Sequence, residues 1–371
     1  MKFKLKIGVD KEVIAENASQ QSRAEQSRAE QSRAEHIEAL RIIAVLMVIF
    51  NHTNERGFSR AFADPNTLGW IWDVFVSTAC KAGVPIFFMI SGANLIGKDD
   101  SIRKCFFRVR KIFIVLFFWS IIYYGADAQS VNWELISDWI KRIVSMPYWH
   151  LWYLYAYIAF LCTLPLLRKI GKNINKQEFH LIMAIGLLLT FVMPIMETFT
   201  IPVYGELKPH WLVAANVLYP LVGFYVDKKI NIEDISKQHL LCLWIINACM
   251  FIISGLCEHY FLKFNPGNTN ELFLCSTDLI TAINAFVTVK YLCFKKCWQI
   301  KKGALFVGRL VFGIYLIHIL LLWKIPFLLD EFLKIEKYSS LGIFASVLIV
   351  FLIAAVMISL LKHVPVIKRI V

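Results

Sequence analysis

From residue 37 onward the chain alternates long apolar stretches with short polar breaks. Ten of these stretches approach the roughly 20 apolar residues that an α-helix needs to cross a bilayer. They run over 37–53, 74–97, 105–125, 149–167, 179–198, 210–226, 239–257, 271–290, 304–323 and 339–361. The pattern predicts an all-α protein, a polytopic helical bundle with about ten transmembrane helices, since only helices or closed barrels satisfy their backbone inside lipid. Ten crossings would leave both termini on one side. The loops on that side carry 29 Lys and Arg, against 9 in the loops opposite, so the positive-inside rule predicts that both termini are cytoplasmic. With short loops throughout, the organisation reads as a polar N-terminal segment, 1–35, followed by one membrane domain, 36–371.

Composition supports that reading. The chain is 58% hydrophobic and 18% charged, with a mean hydropathy of +0.58, where soluble domains sit near 45–50% and roughly 25%. An ordinary soluble enzyme is excluded. The net charge of +13 would raise nucleic-acid binding in a soluble protein, but here the cations follow the loops, so the expected partner is the lipid bilayer and no nucleic acid. Residues 1–36 contain no apolar core of a signal peptide, usually ~7–15 residues. Nine cysteines are scattered without a C-x-x-C pair or histidines at zinc spacing, so neither a disulfide framework nor a metal site is expected.

Residues 21–35 are QSRAE three times over. The five-nucleotide unit CAGAG, read three times, translates to that pentapeptide. A pentanucleotide tract gains or loses units by strand slippage and shifts the frame, which would make expression phase-variable; a duplicated linker with a 15-nucleotide unit is the alternative.

The first apolar segment, IEALRIIAVLMVIFNHT, carries Arg41 and His52. Ionisable groups are costly in a membrane and usually face a bundle interior or watery cavity. Eleven positions make three turns and about 16 Å of rise, which puts both on one helix face and in one cavity. Alternatively Arg41 snorkels to the interface and His52 caps the outer end. Glu55, at i+3 from His52, is the nearest carboxylate in the sequence. In the third segment Arg108 and Lys111 stand i, i+3 apart, where they could clamp a phosphate; basic residues at a cytoplasmic helix end also follow from topology alone. Ser91, in VPIFFMISG, is a polar contact or a small residue that lets helices approach. No G-x-S-x-G elbow accompanies it, so a serine hydrolase is not indicated.

Six blocks together resemble acyltransferase family 3: HIEALRIIAVLMVIFNHT (36–53), AGVPIFFMISGANL (82–95), FFRVRKI (106–112), WHLWYLYAYIAFLCTLPLL (149–167), YPLVGFYV (219–226) and FGIYLIHILLL (312–322). The chain looks most like the branch that includes the enterobacterial common antigen O-acetyltransferase and the intercellular adhesin biosynthesis protein. The resemblance implies a ten-helix enzyme of the bacterial inner membrane that moves acetyl from cytoplasmic acetyl-CoA to a hydroxyl of a surface polysaccharide, lipopolysaccharide or lipid-linked glycan. Acetyl-CoA is then a substrate, and no bound cofactor is implied. The family's essential first-helix Arg and His carry over to Arg41 and His52, which the resemblance makes the candidate catalytic residues, and its R-x-x-R phosphate motif to Arg108 and Lys111. Lys in the second place cannot form the bidentate fork of Arg, and the proline that commonly follows the motif is replaced by IFIVL, 112–116.

His52 is the candidate base, because imidazole is the side chain best poised for proton transfer near neutral pH. Arg41, Arg108 and Lys111 are the candidate acyl-CoA contacts. His150 and Trp152 at the outer end of the fourth segment form either an aromatic belt or a surface that stacks on sugar rings. His318, in YLIH, lies mid-segment as an interhelical hydrogen-bonding group or an acceptor-site residue. A glycan flippase or exporter, or a non-catalytic subunit of a polysaccharide synthesis complex, is the rival reading, although no symmetry between halves marks a transporter.

Overall fold

The computed structural model describes residues 35–53, 57–62, 65–127, 148–198, 214–265, 275–295, 302–332 and 340–365. The QSRAE tract lies outside these residues apart from Glu35, and Glu55 lies outside them too. Among the described residues the elements are helices. Helix α1 spans 35–51. It is followed by α2 (Leu68–Lys81), α3 (Gly83–Leu95), α4 (Ile102–Asp127), α5 (Trp152–Asn173) and α6 (Lys176–Leu187). The remainder are α7 (Tyr219–Lys228), α8 (Lys237–Phe264), α9 (Asp278–Phe294), α10 (Lys302–Gly308), α11 (Val311–Phe332) and α12 (Ser340–Leu361).

All ten apolar segments therefore contain helix. Among the described residues five helical stretches are long and apolar enough to cross a membrane: Gly69–Leu95, Trp152–Asn173, Lys176–Met196, Lys237–Phe264 and Gly342–Leu361. Lys302–Gly308 and Val311–Trp323, bent by 68° at the break between them, add a sixth if the pair is one span. Among the described residues α9 is 17 residues long and α1 spans 35–51, both shorter than the roughly 20 residues a crossing needs, and α1 also carries Glu38 and Arg41.

Helix starts follow local chemistry. Asn175 and Glu178 form a capping box at α6, and Ser236 accepts from His239 N at α8, satisfying amides that have no partner inside the helix. Outward faces are apolar. On α12, Phe344, Leu348, Leu352, Val356 and Leu360 are exposed at every fourth position, and α8 exposes Leu241, Trp244, Ile245, Ile252 and Leu256. Such stripes suit lipid and would be a liability in water. By contrast the aromatics Tyr123, Phe88, Phe160 and Phe286 fill the interior, so the aromatic content is not simply lipid-facing bulk.

The centre of the bundle is the crossing of α3 and α7. A Cβ on Gly92 would enter the backbone of Pro220, and one on Gly223 would enter the backbone of Met89. Two helix backbones in direct contact need glycine at the contact. This corrects the packing role considered for Ser91: its neighbour Gly92 makes the close approach, and Ser91 is turned elsewhere.

Candidate active site

A cavity of about 840 Å³ opens between α1, α3, α4, α5 and the α10–α11 corner. Arg41 of α1, Lys98 of the loop after α3, Lys111 of α4 and Arg309 of the corner line it, with Glu38 the one carboxylate among its described lining residues. Four cations against one carboxylate give this recess an excess of positive charge. The bend after Gly308 is what brings Arg309 there, and Lys362 Nζ donates to Arg309 O at 2.8 Å, tying the end of α12 to the corner. Glu38 Oε1 accepts from Arg41 Nη1 at 2.6 Å, which holds the guanidinium one turn along its own helix. Neutral polar groups continue the wall inward: Ser91, Asn94, Tyr153, Tyr157 and Tyr315.

Behind Tyr315 lie three histidines. The ring of His52 stands 4.9 Å from that of His318, centroid to centroid, and His318 lies 6.4 Å from His150. His52 Nδ1 donates to Val48 O at 2.6 Å, and His318 Nδ1 donates to Tyr315 O at 2.5 Å. A carbonyl only accepts, so each neutral ring carries its proton on Nδ1 and its lone pair on Nε2. The last turn of α1 is fastened beside this cluster, with Thr53 Oγ1 donating to Phe50 O at 2.7 Å and accepting from Phe58 N at 3.2 Å. Tyr315 donates to His150 O at 2.7 Å, and Tyr123 donates to Leu316 O at 2.9 Å. These two bonds hold α11 against α4 and the entry to α5.

The model of the acyltransferase domain family matches residues 35–360. The chain belongs to acyltransferase family 3. No curated protein and no solved structure matches it significantly. Within this acyltransferase the matched stretch contains the whole cavity and all three histidines.

The structure distributes the sequence candidates unevenly. Arg41, Lys111 and Ser91 line the cavity and His52 does not; the cavity wall includes Tyr315, whose carbonyl bonds His318 of the histidine cluster. Arg108 is not on the wall either. Its Nη2 donates to Asp100 Oδ2 at 2.5 Å. His150 is corrected most. It is 2% exposed and packs against Tyr123 at 4.3 Å between ring centroids, which is an interior position and not an interfacial belt. Trp152 is half-buried against the core. His318 is fully buried and faces His52.

Several site residues escaped sequence reasoning. Lys98 was legible only as a topology charge, Arg309 only as a cation inside the 304–323 segment, and Glu38 only as a polar residue near a helix start. Tyr315 carried a signal that could have been used, since it stands i, i+3 from His318 on one helix face.

Proposed function

We propose that this membrane acyltransferase takes acetyl from acetyl-CoA on the cytoplasmic side and passes it to a hydroxyl of a cell-surface polysaccharide or lipid-linked glycan. The observation that supports the reading is the cationic cavity whose wall includes Tyr315, bonded through its carbonyl to His318 of the His52–His318 pair. In this reading both termini and the cavity mouth face the cytoplasm of a bacterium, the ten apolar segments cross its inner membrane, and the histidines sit toward the acceptor side.

The chemistry follows from the groups present. Arg41, Lys111, Lys98 and Arg309 hold the phosphates of the donor, with Arg108 at the rim, and charge-assisted contacts fix their register. The uncharged arm runs inward past Ser91, Tyr153 and Tyr157 toward Tyr315. Arg41 and His52 are 11 residues apart, about 16 Å along the helix, a span on the scale of a pantetheine arm. At the inner end His52 Nε2 takes the proton of the acceptor hydroxyl as its oxygen attacks the thioester carbonyl carbon. The C–S bond breaks, the thiolate leaves, and the proton on His52 returns to sulfur. Imidazole is restored and no net proton is released. Val48 O keeps the His52 proton on Nδ1, so Nε2 remains the acceptor throughout.

The test is NMR of base-labile O-acyl groups on purified surface glycan from cells lacking the gene, carrying it, and carrying His52→Ala at equal level. Loss of one acyl resonance in the deletion and in His52→Ala supports the reading and identifies the acyl group and its sugar. An unchanged pattern in all three rejects it in favour of export.

A further inference from the structure

Helix α4 begins with five cations, and three of them are committed within the protein. Lys104 and Arg108 bond the Asp100 carboxylate, which Arg168 of α5 also bonds, and Lys111 lines the cavity. The other two point elsewhere. Arg103, four positions before Phe107, and Arg110, three after it, are exposed, and both lie over its ring with Cζ 5.6 and 5.1 Å from the centroid. A guanidinium over a ring uses its face there and keeps its in-plane N–H fork for an acceptor. Phe107 is itself 43% exposed, so the trio stands on the outer surface of the bundle.

The same face continues as an apolar one. Positions 103, 107, 110, 114, 117 and 121 follow the 3.6-residue period of a helix. Ile114, Phe117 and Ile121 are 51%, 43% and 44% exposed, whereas Ile112, Val115, Leu116 and Trp119 on the opposite face are buried. From Arg110 to Ile121 the rise is about 16 Å, close to half of a hydrocarbon core about 30 Å thick. With that apolar stretch in one leaflet, the two guanidiniums stand at the depth of the headgroup phosphates. A soluble phosphate would use the cations and leave the apolar stretch uncovered; a phospholipid covers both.

We propose that Arg103, Phe107 and Arg110 bind the headgroup phosphate of an anionic phospholipid in the cytoplasmic leaflet, with an acyl chain of that lipid lying along Ile114, Phe117 and Ile121. The inference rests on the reading above that this segment crosses the membrane with its first residues cytoplasmic; it does not depend on the acyl donor. Lys111 and Ile112 of the same helix line the cavity, so the lipid outside the bundle and the cavity inside it share α4 without sharing a cation. Two arginines suit this role because their planar forks match phosphate oxygens, which the point charge of lysine does not.

The experiment is native mass spectrometry of the full-length protein in neutral detergent, titrated with phosphatidylglycerol, with phosphatidylcholine of the same chains, and with inorganic phosphate. Each basic residue at an anionic lipid surface contributes about fivefold in affinity. The first phosphatidylglycerol should therefore bind Arg103→Gln/Arg110→Gln about 25-fold more weakly than wild type, while phosphatidylcholine binds both alike. Lys169→Gln/Lys229→Gln, which removes two exposed cations from other helix ends, should keep the wild-type affinity. If wild type binds phosphatidylglycerol no better than phosphatidylcholine, or if the Lys169/Lys229 pair loses as much, the proposal is overturned. Displacement of the lipid by an equal concentration of inorganic phosphate also overturns it, since that marks a site for free anions. Should the double arginine variant fail to fold, Arg110→Gln alone enters the same titration with an expected loss of about fivefold. Labelling of Ser101→Cys by an impermeant maleimide, read above the wild-type background in right-side-out and inverted vesicles, checks the orientation separately. Reaction from the cytoplasmic face supports the cytoplasmic leaflet as the site, and reaction only from the opposite face overturns the topology reading, whatever the titration in detergent gives.

Discussion

His318 Nε2 lies 3.4 Å from His52 Nδ1, a contact between residues 266 positions apart. It joins the last turn of α1 to the middle of α11, with the Tyr315 carbonyl orienting the second ring. If His52 is the base, His52→Gln lowers acyl transfer by about 10²–10⁴-fold, the usual range for a positioned general base. His318→Gln gives a smaller loss with a displaced pH–rate profile, because the residue acts through its neighbour. The double variant should be no worse than His52→Gln, since groups that act as a unit are non-additive. Full additivity of the two effects in proteoliposome assays would separate the rings functionally.

Arg41 offers a test of fork against point charge. Arg41→Lys keeps the charge but cannot bond Glu38 and a phosphate in fixed geometry. The expected outcome is a KM for acyl-CoA raised about tenfold with kcat within a factor of two, the mark of lost ground-state binding. Steady-state kinetics with saturating acceptor measure this, and an unchanged KM would remove Arg41 from the donor site.

The α3–α7 crossing makes a stability prediction independent of chemistry. Gly223→Ala forces a methyl into the backbone of Met89, and overpacking of this kind typically costs about 1–3 kcal/mol. Gly125→Ala in α4 meets nothing within 4 Å and removes a flexible residue from a helix, so it is neutral or stabilising by about 0.5–1 kcal/mol. Thermal unfolding in one detergent should lower the melting temperature for the first and not the second.

Asp100 sets a limit on pH effects. Hydrogen bonds from Arg108 and Lys104 hold its carboxyl well below the usual carboxylate range. A depressed folded-state pKa contributes stability that is present above the ordinary value and is lost as pH falls through the depressed one. Between about pH 5 and 8 this link stays ionised. Melting temperatures of wild type and Asp100→Asn measured across that range should therefore differ by a constant amount; a difference that closes by pH 5 would contradict the assignment.

The QSRAE tract predicts variation at the gene. If its DNA is CAGAG repeated, sequencing single colonies will reveal tracts differing by one unit, out of frame in some and in frame in others. Mixed synonymous codons across the tract would end that idea.

Hydropathy alone determined that this is a helical membrane protein, because the cost of burying backbone and charge in lipid is so large that every crossing must declare itself in composition. It also located the ten helical segments, and the cost of a charge in lipid singled out Arg41 and His52. Partnerships were another matter. Whether Arg108 faces a cavity or a carboxylate depends on Asp100, eight residues away in a loop, and on Arg168, on another helix. Whether His150 meets water or the interior depends on Tyr123 and His318, from α4 and α11. The bend that delivers Arg309 and the glycine contact that brings α3 onto α7 depend likewise on neighbours remote in the chain. A residue's cost of burial is local and can be read from its own chemistry, whereas its partner is chosen by how helices pack, and only the tertiary structure carries that choice.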